Sequence, residues 1–412
     1  MVKVKTYENG LRVIVKEIEY VQSVTMGIMV GAGSAYETAE ENGISHFIEH
    51  VNFKGTEKRT AFDISDEVDS IGAQINAFTS KDVTCYYIKC IDEHVEKSFE
   101  ILSDIFLNSV YPEEELDKER TVIIEEINMT EDTPDDLCID KLATAFWGNK
   151  GYGATILGPI ENAKRFSRND IFNYRKKYYV PENTVISFAG KVKFERVVEL
   201  IDRYFSSFKS EGAFVKPLLK PELILGDSCL DKPIEQAHIG LALPSIEMTS
   251  PDRSAALCLS SILGGGMSSR LFQSVREKRG LAYSVYSFIS AYKETGVLYI
   301  YAGVNPKTVR QAYDCIIEEL NSLSVNGISL KELNRAKEQI KGSTALSSES
   351  TSSLMMSFGK RLLLSNQIFD VEKELQKLSA LKLEEANEVA LRKFNCNQMA
   401  TSIVGRSVSK LR

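Results

Sequence analysis

An alternating apolar segment followed by an apolar stripe at helical spacing occurs twice in the chain. Residues 84–109, TCYYIKCIDEHVEKSFEILSDIFLNS, predict a strand and then a helix with apolar positions at Val95, Phe99, Leu102 and Phe106. Residues 297–323, VLYIYAGVNPKTVRQAYDCIIEELNSL, repeat that plan with Val309, Tyr313, Ile316 and Leu320. Spacings of three and four place each set on one helix face. The pattern therefore indicates an internal repeat.

The next predicted helix extends the repeat in both halves. ELDKERTVIIEEI in the first half aligns with ELNRAKEQIKGST in the second, pairing Leu116 with Leu333 at an offset of 217 residues. Repeats of this length are domains. We predict an N-terminal domain at 1–210, a linker at 211–230 and a homologous C-terminal domain at 231–412. Because strands precede clustered helices in each half, we expect α+β domains, each a mostly antiparallel sheet with helices on one face.

Composition narrows the classes of partner and compartment. The chain has 412 residues, 43% hydrophobic and 26% charged, which is typical of a globular protein of two or more domains. A net charge of −7 argues against nucleic acid as the main partner. No apolar run is long enough for a membrane span. Seven scattered cysteines and a start without a targeting pattern predict reduced thiols and a cytoplasmic location.

A histidine pair marks the first candidate for chemistry. In NGISHFIEHVNFKG, an apolar stripe at helical spacing places His46 and His50 one turn apart on the same helix face. Two imidazoles at this spacing can bind one metal ion, and Glu49 between them can activate the attacking water. H-x-x-E-H is a zinc-peptidase motif. The alternative is a pair of surface histidines on an ordinary helix.

A third protein ligand is expected, because catalytic zinc usually has three. On the helix that starts near Pro112, Glu119 and Glu126 fall on the apolar stripe, whereas Glu125 points away from it. A carboxylate on the core face is costly unless it is paired or bound to metal. A salt bridge would also explain these two glutamates.

The repeat favours a functional explanation for the acidic positions. Applying the same offset, Glu119 corresponds to Ala336 and Glu126 to Ser343, and the second half contains no H-x-x-E-H. The histidines and glutamates are thus present together in one copy and absent together from the other. This pattern predicts one zinc site per chain, in the N-terminal domain.

Six segments in order resemble the pitrilysin family of metallopeptidases, specifically its mitochondrial and bacterial processing-peptidase branch. They are GISHFIEHVNFKGT, INAFTSKDVTCYY, ERTVIIEEINMTEDTPDD, GPIENAKRF, LGGGMSSRLFQSVREKRGLAYSVYS and AKEQIKG. The family places its third ligand 76 residues after the second histidine, which selects Glu126 over Glu125. The resemblance implies a zinc-dependent endopeptidase that cleaves peptides or unfolded segments, with Glu49 as catalytic base and Glu119 as an accessory acid.

The same resemblance implies further site residues. Asn76, Ala77 and Phe78 match the strand edge along which a peptide substrate adds as an extra strand. Arg276 and Tyr283 match an R-x-x-x-G-L-x-Y element expected to stabilise the developing oxyanion. Because these two residues lie in the half without zinc, they act within the chain or on a partner's site. The expected assembly is a homodimer, with a different partner chain possible, that encloses a chamber.

The same residues are compatible with two other functions. The family also contains non-catalytic binding or assembly subunits, which usually lack a ligand or the glutamate base, whereas this chain has all of them. The second rival is a small zinc hydrolase or lyase that shares H-x-x-E-H. Members of that class have a single domain and a cysteine ligand, which the long second half argues against.

Overall fold

A computed structural model describes residues 2–217, 219, 221–406 and 408, so residues 218 and 220 of the predicted linker and residues 1, 407 and 409–412 lie outside the described residues. The strands are β1 Val2–Thr6, β2 Arg12–Glu17, β3 Ser23–Val30, β4 Gln74–Thr79, β5 Thr84–Ile91, β6 Thr184–Gly190, β7 Asp227–Asp231, β8 Ala237–Pro244, β9 Ala282–Ala291, β10 Gly296–Val304 and β11 Ala400–Gly405.

Helices make up the larger part of the regular structure. The helices are α1 Ile44–Val51, α2 Ala61–Ser70, α3 Val95–Asn108, α4 Glu113–Asp132, α5 Pro134–Trp147, α6 Ile160–Arg165, α7 Arg168–Tyr178, α8 Phe194–Tyr204, α9 Arg253–Gly264, α10 Val309–Asn326, α11 Leu330–Ser347, α12 Thr351–Ser365, α13 Val371–Ala380 and α14 Leu383–Lys393. Among the described helices, none combines the length and apolar character that crossing a membrane requires.

The chain forms two compact units. Unit 1 comprises Met1–Ile127, Thr155–Leu219 and Leu346–Phe369, and unit 2 comprises Asn128–Ala154, Lys220–Ala345 and Asp370–Arg412. The sheet of unit 1 has the order β1-β2-β6-β3-β5-β4, and that of unit 2 has the order β7-β11-β8-β10-β9. Neighbouring strands are antiparallel except for the pairs β2–β6 and β7–β11. The predicted α+β class is confirmed.

One face of the unit 1 sheet carries the main core. Alternate β3 residues, among them Val24, Met26 and Ile28, are fully buried together with apolar residues of α1 and α3. Side chains alternate between the two faces of a strand. The helix α1, which bears His46 and His50, therefore packs on the core face of this sheet.

The opposite face of this sheet is covered by a helix from far along the chain. The Thr25 hydroxyl lies 2.9 Å from the Thr351 hydroxyl on α12, and Ser187 donates a hydrogen bond of 2.8 Å to the Met355 carbonyl. In unit 2, α5 likewise packs on β8 and β11, where Cys138 is fully buried. Each unit thus includes one helix from the other half of the sequence. In unit 1, helices lie on both faces of the sheet, whereas helices on one face were predicted, because β3 is apolar and buried on both of its faces.

The close approach of α12 to its sheet gives a stability prediction. A Cβ added at Gly359 would lie 2.7 Å from Met29 Sδ and 2.9 Å from Ser187 Cβ, whereas a Cβ at Gly342 on α11 would meet nothing within 4 Å. We expect Gly359→Ala to lower the free energy of unfolding by about 1–3 kcal/mol through overpacking. The matched Gly342→Ala should raise it by about 1 kcal/mol, because alanine favours a helix over glycine. Thermal denaturation measures both, and equal effects would contradict this packing.

Candidate metal centre

The helix α1 is fixed at its first turn by a buried carboxylate. Glu37 accepts hydrogen bonds from the backbone N–H groups of Gly43, at 2.8 Å, and Ser45, at 2.9 Å. These amides lie where a helix leaves its N–H groups without intrahelical partners. Gly43 has a φ of 98°, and a Cβ added there would lie 2.5 Å from the Leu157 carbonyl oxygen, so a side chain would be strained and crowded. The start of α1 is therefore held rigidly.

Two histidines and one glutamate form a cluster on α1 and α4. The rings of His46 and His50 are 4.6 Å apart, as expected for residues one turn apart. Glu126 Oε2 lies 3.6 Å from His46 Nε2 and 3.3 Å from His50 Nε2. One candidate ligand atom from each of the three residues lies within 4.8 Å of the other two. Among the described residues, this is the only such group of potential metal ligands.

The donor set fits a catalytic zinc ion. Two imidazole nitrogens and one carboxylate oxygen are a ligand combination of zinc hydrolases, and three protein ligands leave a position for water. The ring nitrogens that face Glu126 are both Nε2, so the two histidines present the same atom to a common point. The neighbouring Glu125 is exposed, in agreement with the predicted difference between the adjacent glutamates.

The two histidines have different electrostatic surroundings. Burial, together with the charge of His50, lowers the pKa of His46 to about 4. Burial also lowers the pKa of His50, but hydrogen bonds to Glu119 and Glu126 outweigh that effect and raise it to about 9. A neutral His46 is ready to donate its lone pair, whereas His50 is held by carboxylates on both ring nitrogens.

Glu119 connects His50 to a lysine. Its Oε2 lies 3.1 Å from His50 Nδ1, and its Oε1 lies 2.6 Å from Lys54 Nζ. Burial raises the pKa of Glu119, but these two partners outweigh burial and leave the pKa below its usual value. A carboxylate on the second nitrogen of a ligand histidine fixes the orientation of the ring. The buried position of Glu119 on α4 is thus explained by its partners.

Glu49 lies next to the cluster on the same helix. Its Oε2 accepts a hydrogen bond of 2.6 Å from the Thr79 hydroxyl at the end of β4. Burial raises the pKa of Glu49, and the Thr79 hydrogen bond opposes that rise. A half-buried carboxylate with a raised pKa is suited to accept and then release a proton.

The strand β4 forms one edge of the unit 1 sheet. Asn76, Ala77 and Phe78 pair with β5 on one side only, opposite Tyr87, Tyr86 and Cys85. The Ala77 N–H donates a 2.7 Å hydrogen bond to the Asn76 side chain instead of to a neighbouring strand. This edge therefore has a backbone donor that a local side chain satisfies and that an added strand could use.

Arg276 and Tyr283 lie together in unit 2. Arg276 belongs to a π-helical segment, Phe272–Lys278, and Tyr283 is the second residue of β9. The guanidinium carbon lies 5.4 Å from the centre of the Tyr283 ring, whose residue is 77% exposed. The two predicted donors are thus neighbours on one surface, and their role in catalysis stays a prediction.

Sequence reasoning missed three residues that support this cluster. Glu37, Lys54 and Thr79 are respectively in a loop, after a helix and at a strand end, and none of them has a ligand-like spacing. The only signal for Glu37 is weak: Asn42 and Gly43 indicate that a helix begins after them, and the N–H groups at that start need an acceptor such as a carboxylate. Lys54 and Thr79 acquire their roles only through contacts with α4 and α1, which the local pattern does not encode.

Comparison with known proteins agrees with this architecture. Residues 12–160 match the family described as insulinase (peptidase family M16), and residues 165–340 match the peptidase M16 inactive domain. The chain is 42% identical over 394 residues to the uncharacterized zinc protease YmxG of Bacillus subtilis, covering 96% of each chain. It is 36% identical over 395 residues to an uncharacterized zinc protease of Streptomyces coelicolor, covering 93% of this chain and 85% of that protein.

Two solved structures share the whole fold. A protease from Helicobacter pylori has a TM-score of 0.93 at 25% identity and covers 98% of this chain and 99% of its own. A peptidase M16 inactive domain from Pseudomonas fluorescens has a TM-score of 0.92 at 19% identity, with 99% and 98% covered, and supports the fold alone. These matches define an α+β protein built from two M16 domains. The chain belongs to peptidase family M16, the pitrilysin family of zinc metallopeptidases.

Proposed function

We propose that this chain is a zinc-dependent endopeptidase that cleaves extended peptides or unfolded polypeptide segments. The observation that carries the proposal is the convergence of His46, His50 and Glu126, with candidate ligand atoms within 4.8 Å of one another, beside the Glu49 carboxylate. Names of relatives support a peptidase-type function, and this donor set supports the catalytic form of it.

In this proposal, His46 and His50 hold the metal through Nε2 and Glu126 holds it through its carboxylate. When bound, zinc supplies Lewis acidity, which lowers the pKa of water and polarises a carbonyl. Glu119 keeps the His50 ring turned so that Nε2 faces Glu126, since its own carboxylate occupies Nδ1. One ion is expected per chain.

Glu49 carries the proton in the proposed reaction. Its carboxylate removes a proton from the attacking water and passes it to the nitrogen of the leaving amine as the peptide C–N bond breaks. The raised pKa that burial gives Glu49 brings its proton affinity closer to what this transfer needs.

The free edge of β4 is the proposed binding surface for the peptide backbone. A peptide that adds there would replace the Asn76 side chain as the acceptor for the Ala77 N–H. Because main-chain hydrogen bonds do not depend on the identity of the side chains, this binding mode accepts peptides of many sequences. Arg276 and Tyr283 remain the proposed donors to the oxyanion. The dimer, the chamber and the cytoplasmic location stay predictions.

Glu119→Gln should weaken zinc binding about 10- to 100-fold, the usual cost of changing a group that orients a metal ligand. The amide loses the charge that pairs with Lys54 and accepts less strongly from His50. Competition with a chromogenic chelator measures the affinity. Glu114→Gln, a change at an exposed residue of the same helix, should leave the affinity unchanged. Equal affinities for Glu119→Gln and wild type would show that the ring needs no such support.

Incubation of the purified chain with an unstructured peptide tests the proposed function. Cleavage should stop when a chelator removes zinc and return when zinc is added back. Cleavage that persists in the metal-free protein would refute the mechanism. A zinc-loaded wild type that binds the peptide without cleaving it would favour the non-catalytic subunit, the rival function within this family.

A further inference from the structure

The hydroxyl of Thr79 donates its hydrogen bond to the Glu49 carboxylate. Thr79 Oγ1 lies 2.6 Å from Glu49 Oε2 and 3.5 Å from the Ser45 carbonyl. A hydroxyl has one proton to donate, and the shorter contact is to an ionisable oxygen, where a hydrogen bond is strongest. This is the only side-chain hydrogen bond found for Glu49 in the described part of the chain.

The backbone that carries Thr79 is fixed on both sides. Thr79 and Thr84 form the last pair of the β4–β5 ladder, and the tight turn beyond it is closed by a 2.8 Å bond from Ser80 N to the Val83 carbonyl. The loop at residues 33–35 holds the same turn, because Ala35 N donates to the Lys81 carbonyl at 3.0 Å. Thr79 therefore offers its hydroxyl from a rigid position.

The strand that carries Thr79 is also the proposed edge for the peptide backbone. Ala77, whose N–H points to the Asn76 side chain and away from β5, lies two residues before Thr79 on the same strand. Side chains two residues apart on a strand point to the same face of the sheet, so those of Ala77 and Thr79 share a face. The strand that would align the peptide and the hydroxyl that restrains the base are thus parts of one rigid element.

We propose that Thr79 is a positioning residue that holds the Glu49 carboxylate in the direction needed for proton transfer, so that β4 sets both the peptide and the base. This inference rests on the proposed function. Misplacing a catalytic group by a small distance lowers the rate of the chemical step more than it lowers binding. Thr79 should consequently affect kcat and leave KM and zinc affinity unchanged.

Two substitutions separate the hydroxyl from the shape of the side chain. Thr79→Val keeps the branched shape and removes the donor, and we expect it to lower kcat about 10- to 100-fold, the factor that corresponds to losing one hydrogen bond to an ionised group. Thr79→Ser keeps the donor and should stay within about threefold of wild type. Equal losses in both variants, or a loss confined to KM or zinc content, would overturn the proposal.

An infrared measurement tests the same contact without catalysis. The carboxylate band that disappears in Glu49→Gln should shift in Thr79→Val, because the carboxylate loses its donor, and should stay in place in Thr79→Ser. An unshifted band in Thr79→Val would overturn the inference even if the enzyme cleaves peptide. A wild type that cleaves nothing would refute the proposed function, while the band would still decide whether Thr79 holds Glu49.

Discussion

Replacing Glu49 by glutamine should lower kcat/KM for peptide cleavage by about 100- to 10,000-fold, the usual contribution of a positioned acid–base group. The amide has nearly the same size as the carboxylate and can still accept a hydrogen bond from Thr79. It cannot take a proton from water, however, so proton transfer to the leaving amine is lost. Zinc content and peptide affinity should remain close to those of wild type, since Glu49 is not among the three clustered ligands.

Glu57→Gln is the matched control for this change, because Glu57 is an exposed glutamate eight residues further along the chain. It removes the same charge close to the same helix and should leave kcat/KM within about twofold, as expected of an exposed surface change. Full activity in Glu49→Gln with zinc bound would remove Glu49 from the mechanism. A parallel loss in both variants would indicate a general charge effect instead.

Replacing Glu126 by glutamine should weaken zinc binding by more than about 100-fold, beyond the usual cost of changing an outer group. Glu126 Oε2 faces Nε2 of both histidines, so its carboxylate is the negative donor of the cluster. The pKa of Glu126 is lowered, first by its hydrogen bond to His50 and further by its electrostatic interaction with the two imidazoles, while burial opposes the shift. The group therefore remains ionised and available to a cation at neutral pH.

The adjacent Glu125→Gln provides the sharpest control for that result. Both variants lose one negative charge on α4, but Glu125 is exposed and takes no part in the cluster. Zinc titration of the two proteins, with bound metal counted after dialysis, should show zinc affinities that differ by more than about 100-fold. Equal zinc affinities would contradict the assignment of Glu126 and the family spacing that selected it.

Local pattern accounts for much of the fold. The stripe at Ile44, Phe47, Ile48 and Val51 became α1, and the strand and helix predicted at 84–109 became β5 and α3. Periodicity is informative in such segments because burial on one face decides their structure. The resemblance to the pitrilysin family and the α+β class are both confirmed by the M16 matches.

The arrangement of the two units could not be read from periodicity. The predicted linker at 211–230 divides the chain into two continuous segments. In the structure, unit 1 also includes α12 from the second half of the sequence, and unit 2 also includes α5 from the first half. Each helix has an apolar face, but nothing in its own sequence states which sheet that face will cover. Small residues such as Gly359 permit the close packing of α12, and they are recognisable as contacts only once the partner strand is known.

In the candidate site, too, some residues can be predicted from their spacing in the sequence and others are identified only by their contacts in the structure. His46, His50, Glu49 and Glu126 follow from helical spacing, the internal repeat and the family pattern. Lys54 and Thr79 do not, because their roles depend on side chains that approach from other elements. The groups that hold the predicted residues in place are therefore the part of the site that required the structure.

The most direct test of the central claim follows a defined peptide in heavy-oxygen water by mass spectrometry. Zinc-loaded wild type should produce two fragments, with heavy oxygen in the new carboxyl group of one of them, because water attacks the peptide carbonyl. Glu49→Gln loaded with the same amount of zinc should leave the peptide intact. An intact peptide with zinc-loaded wild type, or labelled fragments at the wild-type rate with Glu49→Gln, would contradict the account.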